Sequence, residues 1–322
     1  MEFVWKLINH VSSQFGDMEL FTSIVIGALI VVWVIGSIAN RAIAHSAFGR
    51  FNPTLETQFA VAGSLAKESN SHYFVYSTGR ARCSGQMVSL KLTPRNDLLS
   101  RFVFSWFWKA IYPTDRIIVE VFEAEIDSAV TAFLCRKYQH ANLVKTIGEV
   151  DKCCKPHNGS LDGGVWGNHS SSSLTGFTYT CDAGGKAIGQ SVFGKTSAIA
   201  VPEFVLKNVE SVYVSGSSKC VKIELVAIPT SELEWKSLID FTLSGLVDSL
   251  ASVRVSEAVR AEVTAQRSAE ADQAKRREEE SKRREEQQKQ KGTLSAEERE
   301  KLEEKRRKKE QRKNLKTGRI ML

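Results

Sequence analysis

The sequence predicts an α+β fold with a single N-terminal transmembrane helix, a cytosolic α+β domain of mainly antiparallel strands, and long charged C-terminal helices. Three observations carry this. Leu20–Ala39, LFTSIVIGALIVVWVIGSIA, holds no charged residue over 20 positions. At about 1.5 Å per residue, a helix of that length spans roughly 30 Å, the thickness of a bilayer's hydrocarbon core. The middle of the chain contains β-rich runs in pairs, and hairpin-like pairs argue against a doubly wound parallel sheet. From Lys275 to Arg319 there are 19 Lys/Arg against 11 Asp/Glu, a net of +8 in a chain whose total is +7, so everything before Lys275 is nearly neutral.

Residues 1–19 read as a short lumenal amphipathic segment, with Phe3, Val4, Leu7, Ile8 and Val11 at helical spacing, and equally as a helical extension of the anchor. Residues 20–39 form the transmembrane helix, since backbone groups in lipid must be paired within the segment. Ala42-Ile43-Ala44 looks like a signal-peptidase site, but it lies beyond Arg41 and the apolar run exceeds a signal peptide's, so an uncleaved anchor is expected. Glu2, Lys6, Asp17 and Glu19 precede the helix and Arg41 and Arg50 follow it, with His45 between, which favours a lumenal N-terminus and a cytosolic C-terminal bulk.

The α+β domain is expected over 51–252. Asn52-Pro53 reads as the start of a helix to about Leu65. His72–Ser77 and Gln86–Leu92 read as strands, Asn96–Tyr112 as an aromatic-rich helix with Phe102, Phe104, Trp106, Phe107 and Trp108. Arg116–Phe122 and Ala129–Cys135 are two further strands, and Arg136–Val150 a helix. Residues 151–195 are rich in Gly, Ser, Asn and Asp and read as a flexible insertion loop, with room for one short strand at Phe177–Cys181. A short helix at Pro202–Val209 and strands at Ser211–Ser215 and Lys219–Ile228 follow. Ser231 and Glu234 form a capping box that opens a helix to about Val253.

Residues 254–322 form the charged helical tail. KRREE occurs at Lys275–Glu279 and again at Lys282–Glu286, and pairs such as Glu278 with Lys282 support an exposed helix at i,i+4. No apolar a or d position falls between Lys275 and Lys291, so this is a solvated helix and not a zipper. Gly292 breaks it, and Ser295 caps the next helix. That helix carries Lys305, Arg306, Arg307, Lys308, Lys309, Arg312, Lys313, Lys316 and Arg319, a density that suits RNA phosphate contact as well as a plain solvated face.

Other motifs bound the function. Gly189-Gln-Ser-Val-Phe-Gly-Lys-Thr196 fits the phosphate-loop pattern, but Pro202 leaves no room for the helix such a loop needs at Thr196. A membrane-anchored nucleotide-binding protein is therefore the lesser alternative. Cys153, Cys154 and His157 lack a second ligand pair for a metal site, and the six cysteines are irregularly spaced, as expected of reduced thiols facing the cytosol. Neither a cofactor nor a catalytic set is expected. Asn158 and Asn168 lie in glycosylation sequons, which matter only if the domain is lumenal.

Beside these readings, the chain resembles the calumin family, the coiled-coil endoplasmic reticulum subunit of the translocon-associated PAT complex. The likeness is carried by LETQFAVAG (Leu55–Gly63), SGQMVSLKLTPRNDLLSRFV (Ser84–Val103), NVESVYVS (Asn208–Ser215) and KLEEKRRKKEQRKNLK (Lys301–Lys316). The resemblance implies a non-enzymatic protein of the endoplasmic reticulum membrane that assists insertion of multi-pass membrane proteins. Its implied partners are the Sec translocon, a small membrane protein like Asterix, the ribosome, multi-pass clients and the lipid bilayer. The charged C-terminal helices are implied to approach ribosomal RNA near the tunnel exit. Family members described as calcium binders carry an acidic lumenal region, whereas this chain has three acids in the 19 residues before its anchor. Calcium homeostasis is the alternative role.

Overall fold

The computed structural model describes residues 17–97, 114–156, 177–193 and 199–293. Its first element, α1 (Asp17–Gln58), is a single helix of 42 residues. The first half is apolar all round. The second half carries Ala44, Ala47, Phe51 and Leu55 at helical spacing, and these four are 0–3% exposed. The sequence placed a new helix start at Asn52-Pro53, and this is corrected: Pro53 lies inside α1. An interior proline costs about 3 kcal/mol. Burial of Phe51 and Leu55 on either side of it returns about 1.5–3 kcal/mol each. The Asn52 amide, freed from capping, bonds Glu56 at 2.6 Å. The expected continuation to Leu65 is likewise not helical, since Val61–Ala62 is already a strand.

Ten described strands make one antiparallel sheet, β1 (Val61–Ala62), β2 (Ala66–Lys67), β3 (His72–Arg80), β4 (Cys83–Lys91), β5 (Arg116–Phe122), β6 (Thr131–Arg136), β7 (Lys155–Pro156), β8 (Phe177–Cys181), β9 (Val209–Ser215) and β10 (Cys220–Leu225). The order is β1-β3-β4-β5-β10-β9-β6-β8-β7, with β2 also paired to β3. Strand alternation sets the core. Val75, Val88, Leu90, Ile117, Val119, Val121, Val221, Ile223 and Leu225 point to the face that α1 covers and are buried. The opposite parity on β6 sends Phe133 and Cys135 to the other face. There α2 (His140–Thr146) and α3 (Gly148–Cys153) cover them with Leu143, Val144, Ile147 and Val150. The single helix expected over Arg136–Val150 is thus two, broken at Ile147, whose backbone is extended.

In the described parts of 151–195 the strand Phe177–Cys181 stands where the sequence left room for one, but Lys155–Pro156 is a strand as well, and there the insertion-loop reading is corrected. The strands lead to α4 (Gly185–Ile188) and a π-helical turn Gly189–Phe193, with Ile188, Val192 and Phe193 at most 1% exposed. Three apolar side chains spaced for one helical face outweigh the local glycine content.

After α5 (Glu203–Asn208), the capping box opens α6 (Glu232–Asp240) as expected: Ser231 Oγ accepts the Glu234 N–H at 3.2 Å, and the Glu234 carboxylate accepts the Ser231 N–H at 3.2 Å. The helix runs on through a π-helical stretch Phe241–Val247 and a last turn Asp248–Ser252. Trp235, fully buried, packs against Phe51 with ring centroids 4.7 Å apart and the rings tilted by 46°. The final helix, α7 (Glu257–Thr293), starts in the domain, where Val263 is 2% exposed. From Ala265 the chain is a separate unit, and within it Glu278 and Lys282 form the expected ion pair at 2.8 Å.

Candidate membrane-exit site

Two halves of one helix differ in what covers them. Between Phe21 and Ile38, side chains that would be core in a soluble protein are bare, with Phe21 64%, Ile30 57% and Ile38 62% exposed. Among the described residues this is the one helix long and apolar enough to cross a membrane. Coverage begins at Gly36, where a Cβ would overlap the backbone of Arg95 and Asn96. The loop after β4 therefore packs directly on the last turn of the candidate span.

A polar network closes this junction. Asn40 is fully buried, and its amide donates to the Asn70 carbonyl at 3.0 Å and the Thr93 carbonyl at 3.1 Å. Its own carbonyl accepts from Arg95 Nη1 at 2.9 Å. Arg95 reaches on to Asp115 in a two-pronged contact, 3.2 Å and 2.7 Å, and the Thr93 N–H donates to the same carboxylate at 2.7 Å. Burial pushes the Asp115 carboxyl up, but these hydrogen bonds and the Arg95 charge more than offset it and hold it below its ordinary value. A buried amide with all three hydrogen-bonding groups engaged fixes one rotation of α1 against the β2–β3 and β4 loops.

The sheet near α1 runs along the helix. The loop before β3 meets Asn40, whereas Arg80, at the strand's other end, bonds Gln58, the last residue of α1. Eighteen residues separate Asn40 from Gln58, about 27 Å of helix. Arg80 and Arg82 both pair with Asp248, the Arg82 carbonyl accepts the Glu125 N–H, and Asp127 pairs with Arg260 of α7 at 2.6 Å. The base of α7 thus sits at the end of the sheet opposite the candidate membrane exit.

The sequence-derived candidates fare differently. Lys305, Arg306, Arg307, Lys308, Lys309, Arg312, Lys313, Lys316 and Arg319 lie outside the described residues. In the phosphate-loop match, Gly189–Phe193 is a helical turn whose Val192 and Phe193 fill the core, so its first five positions form no loop after a strand; Gly194–Thr196 lie outside the described residues. Cys153 and Cys154 belong to no cluster of potential metal ligands among the described residues. Sequence reasoning missed Asn40, Arg95 and Asp115. The one available signal was an asparagine directly after the apolar run.

A family model described as PAT complex subunit CCDC47 matches residues 17–313. The PAT complex subunit CCDC47 of Danio rerio is 25% identical over 171 residues, 49% of this chain and 34% of the relative. That of Homo sapiens gives the same figures, and that of Xenopus laevis is 24% identical over 160 residues, 46% of this chain and 32% of the relative. The match spans about a third of the length of these relatives.

Proposed function

The chain belongs to the PAT complex subunit CCDC47 family, and from that premise we propose that it is a non-enzymatic component of membrane-protein biogenesis in the endoplasmic reticulum. In this reading the bare half of α1 spans the membrane, the domain faces the cytosol, and the N-terminus is lumenal. The partners are the other PAT complex components, including a small membrane protein of the Asterix kind, the Sec translocon, the ribosome and multi-pass clients. The observation that carries the reading is the build of α1: one half has no cover among the described residues, and the other half is locked into a folded domain by Asn40 and the Phe51–Trp235 contact. A client-handling domain on such a stem is held at a set height over the bilayer. The six free cysteines suit a reducing compartment.

The deciding experiment is affinity purification of the tagged full chain from detergent-solubilised membranes. Translocon and PAT components should co-purify with it. Recovery of the protein alone, under conditions that preserve those assemblies, would rule the reading out. Topology has its own check: Asn158 and Asn168 should stay unglycosylated, and a glycosidase-sensitive mass shift lost on changing both to Gln would reverse the orientation.

A further inference from the structure

We propose that the membrane exit of α1 holds an anionic phospholipid headgroup, bound by Arg41 and Lys67 with the Tyr73 hydroxyl donating to its phosphate. This rests on the reading of the bare half of α1 as a membrane span. Position brings the two cations together. Arg41 follows the buried Asn40, which is tied to Asn70 and Thr93. Lys67 is the register partner of Tyr73, so the two side chains share a face of the sheet. Both cations are exposed, and among the described residues neither has an acidic partner. The acids nearby are already engaged, Glu68 with His72 and Asp115 with Arg95. The collar around the exit therefore carries uncompensated positive charge at the depth where headgroup phosphates lie.

Unmet hydrogen-bonding capacity supplies the second, independent observation. Tyr73 is 2% exposed, and its hydroxyl has no hydrogen-bond partner among the described residues. Ser37, one turn before Arg41 on the same side of α1, also has a buried hydroxyl without one. Buried hydroxyls are normally paired, and an orphan at a site is a mark of a missing ligand or ion. Burial raises the Tyr73 phenol while the nearby Arg41 charge lowers it, so the hydroxyl stays a protonated donor within reach of Arg41's field. A phosphate diester offers acceptor oxygens and the negative charge that this set lacks. Free inorganic phosphate shares that chemistry, but the site opens where the span ends, and a lipid phosphate is already held there.

The test uses the full chain released from equimolar phosphatidylcholine–phosphatidylserine bicelles, with bound lipid read by native mass spectrometry. Phosphatidylserine adducts should exceed phosphatidylcholine adducts about fivefold or more, as each Lys or Arg near an anionic surface shifts partition by about that factor. Combined Arg41→Gln and Lys67→Gln should bring the ratio to parity, Tyr73→Phe should lower it in part, and Lys236→Gln, on α6, should leave it alone. An unchanged ratio in the double variant overturns the proposal. Displacement of the lipid by excess inorganic phosphate also overturns it, because the site is then one for the free anion. Carbonate extraction separates the two readings: protein released from membranes fails as a span, whereas retained protein with equal adducts refutes the headgroup site alone.

Discussion

Asn40 shows how much one side chain decides here. Its amide links α1 to both the β2–β3 loop and the strand-end loop at Thr93. Asn40→Ala leaves two carbonyls and part of the Arg95 guanidinium without that partner in a buried place. A loss of about 1–3 kcal/mol is expected, read as a lower unfolding temperature of the detergent-solubilised full chain with membrane insertion unchanged. Glu149 is a second such residue. It pins α3 to the sheet by accepting hydroxyls from Ser217 and Tyr213 at 2.6 Å, Ser215 at 2.9 Å and Thr131 at 3.2 Å. Burial alone would raise its carboxyl, yet the four hydroxyls bring it below the ordinary value. A depressed carboxylate adds stability above its unfolded pKa and loses it as pH falls through the folded one. Glu149→Gln should therefore destabilise the domain at neutral pH. The gap to wild type should narrow below about pH 4.3, and thermal unfolding across a pH series reads it. A constant gap would mean that shape, not charge, matters at this site.

At the scale of elements, α1 is governed by its neighbours more than by its own sequence. Gly36 admits the Arg95–Asn96 backbone against the helix, while Gly27 has open space around it. Gly36→Val should push the β4 loop off the helix and expose 92–97 to protease, whereas Gly27→Ala should cleave like wild type. Equal cleavage of the two variants would show that the contact at Gly36 carries no weight. The same dependence on context explains the readings that changed. The Pro53 helix start, the unbroken helix over Arg136–Val150 and the loop over 151–195 were each local inferences, and each was overruled by burial of distant partners. Ser231–Glu234 was legible because a capping box is complete within four residues.

For the molecule as a whole, the two ends of the sheet near α1 have different duties. One end meets the candidate membrane exit, and the base of α7 is fastened at the other through Arg260 and Asp127. With the bare half of α1 proposed as the span, that base lies at the sheet end farther from the exit, which suits the proposed ribosome contact by the tail. Removing residues 295–322, or reversing Lys305–Lys309 to Glu, should abolish salt-sensitive co-sedimentation with ribosomes and leave the domain folded. Counterion release predicts that log affinity of the intact chain falls by about 0.7–0.9 per phosphate contact for each tenfold rise in salt. Wild-type sedimentation by both variants across a salt series would move the ribosome link to the domain or a partner.

By itself the sequence determined the apolar stretch, the antiparallel strands, the capping box and the charge of the tail. Each of these is written in neighbouring residues through helical rise, strand alternation or local charge density. Only the tertiary structure decided that α1 continues unbroken into the domain, and that Asn40, Arg95 and Asp115 form one network. The same holds for the uncompensated cations around the exit. These features join residues up to 75 positions apart along the chain, from Asn40 to Asp115. Side-chain partners at that separation leave no periodicity to read, and they meet because the sheet fixes its strands beside the helix.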